Sequence, residues 1–454
     1  MADLRVAVVG GGIAGLSAAA FLARAGITCV VYEQAAEVHE VGAGIQLSPN
    51  GSRLLHRAGL AAYLSRVAAR PVAIEVRHWR DNRTIARTEL GRVDYGAPYY
   101  TLHRADLHRG LLDLVSGTFR CGRRCVAVTE HPDRVDLHFA DGATVSADLV
   151  LGADGLHSVV RRVLSTDRIR FSGLVAHRGL LRAGFDGRTG FDGRARFNGR
   201  ARFNGWAGLD GEPRVLVWLG ADRHVVCYPI ADGWTNVVVI RPSTKPAELG
   251  QAFTEPAELS QDFAEPAELS QDFADWPAPV PGLVREMDGG NPWPLYDRVP
   301  LARWCTRRVA LLGDAAHPLL PFAAQGANQA IEDAATLAAC LRSGLADVPG
   351  ALARYERIRI PRLARVGRLV RDNLAVQNNV AMPDNVAVQN NVAMPDGVAV
   401  RNNTTVRNNI ADGSRPGQAG RAWLYGYDAE KIDEYGKEND GYPADPALSD
   451  ADRG

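Results

Sequence analysis

The chain has 454 residues, 46% hydrophobic and 23% charged. That profile excludes disordered and fibrous classes and leaves room for two or three domains with real cores. Lys+Arg and Asp+Glu are 52 each, so the formal net charge is zero and neither nucleic acid nor a membrane is expected as a partner. Six cysteines cannot form a disulfide framework in this length, and the pair Cys121/Cys125 lacks a second pair for zinc. No metal site is expected, and a reducing, cytoplasmic setting is the default.

From the N-terminus, Leu4 to Val9 is an apolar run of strand length closed by Gly10-Gly11-Gly12-Ile13-Ala14-Gly15. Val6 to Ala23 carries no charge and formally meets the length of a membrane span. Its Gly, Ala and Ser content around the triple glycine favours a strand, a turn and a helix instead. In the G-x-G-x-x-G spacing, Gly10 makes the tight turn, Gly12 lets the backbone approach a pyrophosphate, and Gly15 allows close helix–strand packing. The helix is predicted from about Ile13 to Ala25, with its N-terminal amides at the phosphates. Gly26 ends it, Thr28 to Tyr32 makes a second strand, and Glu33 follows where a carboxylate accepts hydrogen bonds from a ribose diol. A lone G-x-G-x-x-G is weak evidence, but the strand before, the helix after and the acid at this offset point to a dinucleotide site; the spacing does not separate FAD from NAD.

Val72 to Glu89 reads as a hairpin about Asp81-Asn82. Leu149 to Arg161 reads as a buried strand ending in Asp154-Gly155, then a helix. A β meander follows over Val215–Leu219, His224–Ile230 and Thr235–Ile240, placing His224, Val226 and Tyr228 on one face and Val225 and Cys227 on the other. A short strand from Val309 leads into Gly313-Asp314, then Pro321, Gln325-Gly326-Ala327-Asn328, and an amphipathic helix over Ala330 to Leu341. Asp154 and Asp314 each sit at a strand end, where an open α/β sheet binds ligands. A capping Asp at a βα turn is the competing reading for either.

Three tandem repeats interrupt the chain: a six-residue unit from Phe185, a ten-residue Pro-Ala-Glu-Leu unit from Pro246, Pro256 and Pro266, and a twelve-residue unit from Asn373. They are too short for solenoid units. Three surplus units of six, two of ten and two of twelve amount to 62 residues, leaving 392. The ten-residue repeat is expected at the surface as short helices or a loop. From about Asp428 the acidic, proline-containing tail is expected to be poorly ordered.

Together, Gly10 to Gly15, the segment Asp154/Gly155/Ser158/Arg161, and Gly313 to Pro321 resemble the single-component FAD-dependent aromatic hydroxylases. Arg104 and Gly42 to Asn50 match further family features. Within the family the chain looks closest to the salicylate and 3-hydroxybenzoate hydroxylases, through Trp423 to Asp428 and Ala324 to Asp333. The resemblance spans residue 4 to about 365 and resumes near 411. It implies an α/β protein. A discontinuous Rossmann-like FAD-binding domain (1–72, 97–170, 293–365) would carry an inserted, mainly β substrate domain (73–96 and 171–292, with repeats at 185–208 and 246–275). A C-terminal helical region (366–427, with the twelve-residue repeat) and the tail 428–454 would complete it.

It further implies FAD, NADH or NADPH as co-substrate, O2, and a small phenolic acid hydroxylated through a C4a-hydroperoxyflavin. Ile13 and Ala14 with the three glycines would meet the pyrophosphate, and Glu33 and Arg104 would hold the adenosine end. Asp154 and Gly155 would serve phosphates and nicotinamide, and Asp314 the ribitol. Pro321, Gly326, Ala327 and Asn328 would meet the flavin ring. His224 would be the base that takes the phenol proton, with Tyr228 and Gln325 beside the substrate. From the strand pattern alone, His224 equally suits a hydrogen-bonded histidine in a half-buried strand. His317 is expected to be structural, and His177 is unassigned. The absence of a second G-x-G-x-x-G speaks against Baeyer–Villiger and disulfide-reductase types. A homodimer is an open expectation. A tailoring enzyme for a larger natural product and a non-catalytic relative damaged by its duplications are the rivals.

Overall fold

The computed structural model describes residues 4–37, 43–91, 95–115, 119–182, 212–220, 222–243, 266–287, 292–379 and 419–435. The six-residue repeat, two copies of the ten-residue repeat, most of the twelve-residue repeat and the end of the tail lie outside them.

Five short strands, four of them apolar or nearly so, build a parallel sheet. In spatial order it runs Val309–Leu311, Leu149–Gly152, Val6–Val9, Cys29–Tyr32 and Phe119–Arg120. Runs without polar alternation suit strands covered on both faces. The helix Ile13–Arg24 and the helix Gly326–Gly344 pack on this sheet, so the chain's start and its residues beyond 300 share one core. Strand-order reversal beside Val6–Val9 creates the crevice at the carboxyl ends of the strands.

The second layer is a seven-stranded sheet ordered Trp293–Asp297, Arg170–Arg182, Trp234–Pro242, His224–Pro229, Arg214–Leu219, Ala73–His78 and Thr84–Glu89. The hairpin and the meander are thus present as read from the sequence. One face of this sheet (Leu216, Trp218, Val225, Cys227, Val237, Val239) packs on Leu269, Phe273, Trp276 and Leu283. The other face looks into the crevice. This is an α/β dinucleotide-binding fold with an inserted β layer and C-terminal helices.

Four local expectations are corrected. Asp154-Gly155 is followed by a single 3-10 turn, Val160–Val163, because Asp154 caps the turn and holds the chain there. The helix after Gln325 begins already at Gly326 and is buried over Asn328 to Leu341 rather than amphipathic, being enclosed between the first helix, the parallel sheet and the helix Val348–Asn379. The third ten-residue copy forms a short helix as expected, Pro266–Gln271, but its Leu269 and the following Phe273 are 3% and 0% exposed and fill the back of the seven-stranded sheet instead of lying at the surface. Asp428, where the tail was expected to loosen, is 6% exposed and paired to Arg57 at 2.7 Å, and Ala429 and Ile432 join the main core.

Candidate active site

At the glycine turn the backbone is too crowded for side chains. Gly10 has φ +103, and an added Cβ would lie 2.3 Å from the Ala153 carbonyl oxygen. At Gly15 a Cβ would lie 1.9 Å from the Gly10 carbonyl oxygen, so the helix can cross the strand only with glycine there. Gly12 meets nothing within 4 Å and is the helix N-cap without a side-chain cap, leaving the first amides to a ligand. Glu33 accepts from the amides of Gly11 (2.7 Å) and Ala35 (2.9 Å), and the His108 ring is 2.7 Å from the Gly11 carbonyl oxygen. The loop is therefore fixed from both sides, while each Glu33 oxygen keeps a further lone pair.

A cleft of about 330 Å³ joins this loop to the β layer. Of the expected residues, Gly12, Ile13, Ala14, Arg104, Gly155, His224, Tyr228, Asp314, Pro321, Gln325, Gly326 and Ala327 line it. Gly10, Gly15, Glu33, Asp154 and Asn328 do not line it. The Asp154 carboxylate accepts from the Ser158 hydroxyl at 2.5 Å and from the Val159 and Val160 amides at 2.7 and 3.1 Å. That is the capping arrangement, so Gly155, not the Asp154 side chain, faces the cleft. Asn328 likewise clamps two segments: its carbonyl oxygen accepts from the Ser48 amide at 2.9 Å, and its amide donates to the carbonyls of Gln46 and Ala324.

Ala324 adopts a left-handed φ of 51°, which turns the chain from the 3-10 turn Pro321–Ala323 into the helix that starts at Gly326. Gly326 and Ala327 of that uncapped first turn line the cleft, where the positive end of the helix suits a negative flavin edge. Gln325 lines the cleft but is only 2% exposed, and its side chain is engaged in the wall. It donates to the Ser48 hydroxyl at 3.0 Å and accepts from Asn50 and Gln329 at 3.2 and 3.1 Å. Glu332, with Arg359 and Arg362, closes the same buried network.

On the β layer, His224, Val226 and Tyr228 face the cleft with Val238 and Ile240 of the next strand. His224 stacks obliquely on Phe322 at 5.3 Å between ring centroids, and burial draws its pKa down to about 3, so its imidazole is neutral. Burial pushes the Tyr228 phenol up, against the nearby Arg178 charge. Arg178 itself was missed in the sequence. It lines the same cleft, and burial, with Arg104 in the same sense, holds its guanidinium below the ordinary arginine value. Neighbouring His177 faces away and meets Arg241 at 3.4 Å. His317 is a structural group, 2.6 Å from the buried Asp333 carboxylate.

The amide-lined glycine turn, the Asp314 carboxylate opening to the cleft and the helix start at Gly326 fit FAD laid along the cleft. The FAD binding domain family model matches residues 3–370. The chain belongs to the single-component FAD-dependent aromatic hydroxylases. It is 45% identical over 387 residues to the 3-amino-4-hydroxybenzoate 2-monooxygenase PtnB3 of Streptomyces platensis, across 81% of this chain and 87% of that protein. Identity to a 3-hydroxybenzoate 6-hydroxylase of Klebsiella oxytoca is 31% over 374 residues, across 80% of this chain and 86% of that one. A salicylate hydroxylase solved with its substrate superposes with a TM-score of 0.69 at 25% identity, covering 95% of this chain and 98% of that one. This hydroxylase is therefore an FAD- and NAD(P)H-dependent aromatic-ring monooxygenase. Within the family, the higher identity to PtnB3 shifts the emphasis from the salicylate and 3-hydroxybenzoate branch. Among the described residues, no group of three or more His, Cys, Asp or Glu is placed to hold a metal, and no helix is long and apolar enough to cross a membrane.

Proposed function

We propose that this hydroxylase acts on a small phenolic acid, a hydroxybenzoate or aminohydroxybenzoate, in a cytoplasmic setting. The observation that carries the reading is that His224, Tyr228 and Arg178 line the same cleft as Gly12, Asp314 and Gly326. Held along that cleft by these residues, FAD would supply an electrophilic oxygen atom drawn from O2, with NAD(P)H as the reductant. The ring must then be made electron-rich, which loss of its hydroxyl proton achieves. Neutral His224 accepts that proton, and the phenolate formed beside it stabilises the resulting imidazolium more than the buried site would alone. Arg178 offers the positive charge that a ring carboxylate needs on leaving water. Tyr228 holds an oxygen of the ring substituents, and Gln325 keeps the wall rigid instead of touching substrate. The relatives act on hydroxybenzoates by name, which supports the same class here.

The test is NADH and NADPH consumption by the FAD-loaded enzyme with 3-amino-4-hydroxybenzoate, 3-hydroxybenzoate and salicylate, with products identified. At least one acid is expected to stimulate oxidation well above the ligand-free rate and to appear with one added oxygen. If none does, this substrate class is wrong.

A further inference from the structure

Gln46 lies on the strand Gly44–Leu47, which pairs with Tyr100–His103 and borders the cleft opposite His224 and Tyr228. The Gly44 amide donates to the Asn236 side-chain oxygen at 2.6 Å, and Asn236 is the cross-strand partner of Tyr228. That bond fixes Gln46 against the β layer. Its carboxamide stands between two tyrosines. The Tyr99 hydroxyl donates to Gln46 Oε1 at 2.7 Å, and on the other side Gln46 shares the cleft lining with Tyr228 and acts on its phenol in the sense of a donor, drawing its pKa down against burial.

The polarity of this chain follows from its far end. Tyr99 is almost fully buried against the edge of Tyr425, at 5.9 Å between ring centroids, and Arg421 donates to the Tyr425 hydroxyl at 2.8 Å. The Tyr99 hydroxyl meets Gln46 at Oε1, an atom that can only accept, so Tyr99 enters the chain as a donor. An amide whose oxygen accepts on one side presents its NH2 on the other. Tyr228 must then accept from Gln46, and its own proton is left for whatever occupies the cleft.

We infer that Tyr99 and Gln46 are positioning residues that lock Tyr228 as a hydrogen-bond donor to the substrate, selecting an anionic or carbonyl-like oxygen over a hydroxyl that must itself donate. This rests on the proposed phenolic-acid substrate and adds the reason why the ionised form binds. Arg178, on the same cleft, reinforces that choice. A ligand that has lost its phenolic proton, or turns its carboxylate to Tyr228, is matched; a neutral phenol in the same pose faces two donors.

The experiment titrates FAD-loaded wild type, Tyr99→Phe, Tyr228→Phe and the double variant with 3-amino-4-hydroxybenzoate and 3-hydroxybenzoate, following the flavin absorbance. Without Tyr99 the Gln46 amide is free to turn its oxygen to Tyr228 and take its proton. Each single variant is expected to bind about ten- to a hundredfold more weakly, the usual worth of one hydrogen bond to a charged group. The double variant should be no weaker than Tyr228→Phe, with FAD content and Tm unchanged. A merely structural Tyr99 gives additive losses, and an unchanged Tyr99→Phe affinity overturns the lock outright while leaving the substrate class standing. If wild type itself answers to neither acid, the substrate class falls. The lock is then decided by the Gln46 amide deuterons in a neutron structure of the FAD-loaded enzyme: on the Tyr228 side they support it, on the Tyr99 side they overturn it.

Discussion

At His224 the role proposed for it as base comes with a cost to stability. It is 5% exposed, its imidazole faces Phe322 and the cleft, and its pKa is drawn down to about 3 by burial. The unfolded chain binds a proton at this residue below about pH 6.5, and the folded one does not until about pH 3. Between those values the unfolded state holds more protons, so stability rises with pH and is fully present above the unfolded pKa. His224 should therefore lower stability by about 1.4 kcal/mol for each pH unit descended from 6.5 toward 3. Urea unfolding of the FAD-loaded enzyme across pH 4.5 to 7.5 is expected to show a shallower pH slope in His224→Asn than in wild type. Equal slopes would mean that the imidazole reaches water in the folded state. The i, i+4 placing of His224 and Tyr228 was legible because strand alternation alone decides the face. Arg178 was not, because His177-Arg178 offers two polar neighbours and only the sheet order tells which one looks into the cleft. Gln325 was expected beside the substrate and does line the cleft, while its engagement with Ser48 and Asn50, about 275 positions earlier, had no local trace.

At the scale of elements, the buried helix Gly326–Gly344 carries both Glu332 and Asp333, each fully enclosed. Arg359 binds both, at 2.5 and 2.7 Å, and Arg362 binds Glu332 at 2.9 Å while donating to the Trp423 and Leu424 carbonyls. Thus Glu332 joins Asn50 and Gln329 of the cleft wall to the helix Val348–Asn379 and to the helix Ala419–Tyr425. Removing one charge leaves buried guanidinium groups uncompensated, which typically costs about 3–5 kcal/mol. Glu332→Gln is expected to lose that much in denaturant unfolding and to speed amide exchange around Trp423 and Leu424. A loss below 1 kcal/mol would show that water reaches the network. Apolar periodicity identified this helix but not its burial on every side, since acidic residues read as a solvent face until their partners are known. The Gly-rich turn was fully legible, because its spacing alone sets the close approach at Gly15. The helix Pro266–Gln271 was mistaken for surface because two nearly identical copies precede it, and sequence does not say which copy packs against Trp276.

For the whole molecule, the duplications pose the question of whether the cleft still works. The first one lies in the connection between the strands Arg170–Arg182 and Arg214–Leu219, which stand three places apart in the seven-stranded sheet. Successive strands between them are antiparallel, and the register puts Arg182 beside Trp234, and Leu216 beside Cys227. Arg182 and Arg214 therefore lie at the same end of the sheet, separated by about 14 Å at the usual strand spacing. Thirty-one residues join them, and removing Phe191 to Arg202 leaves nineteen. At about 3.3 Å per extended residue, nineteen span that gap several times over. Shortening the loop changes its closure entropy by well under about 1 kcal/mol. The cleft-facing side chains of the β layer come from strands whose pairing is complete on both sides of the insertion, so the repeat is not needed to align them. The variant lacking Phe191 to Arg202 is expected to keep its FAD, its Tm and its rate of coupled hydroxylation within about twofold of wild type. Loss of hydroxylation with FAD and Tm retained would instead place the repeated segment against the substrate, and would revive the view of a cofactor-binding relative whose pocket the duplication has altered.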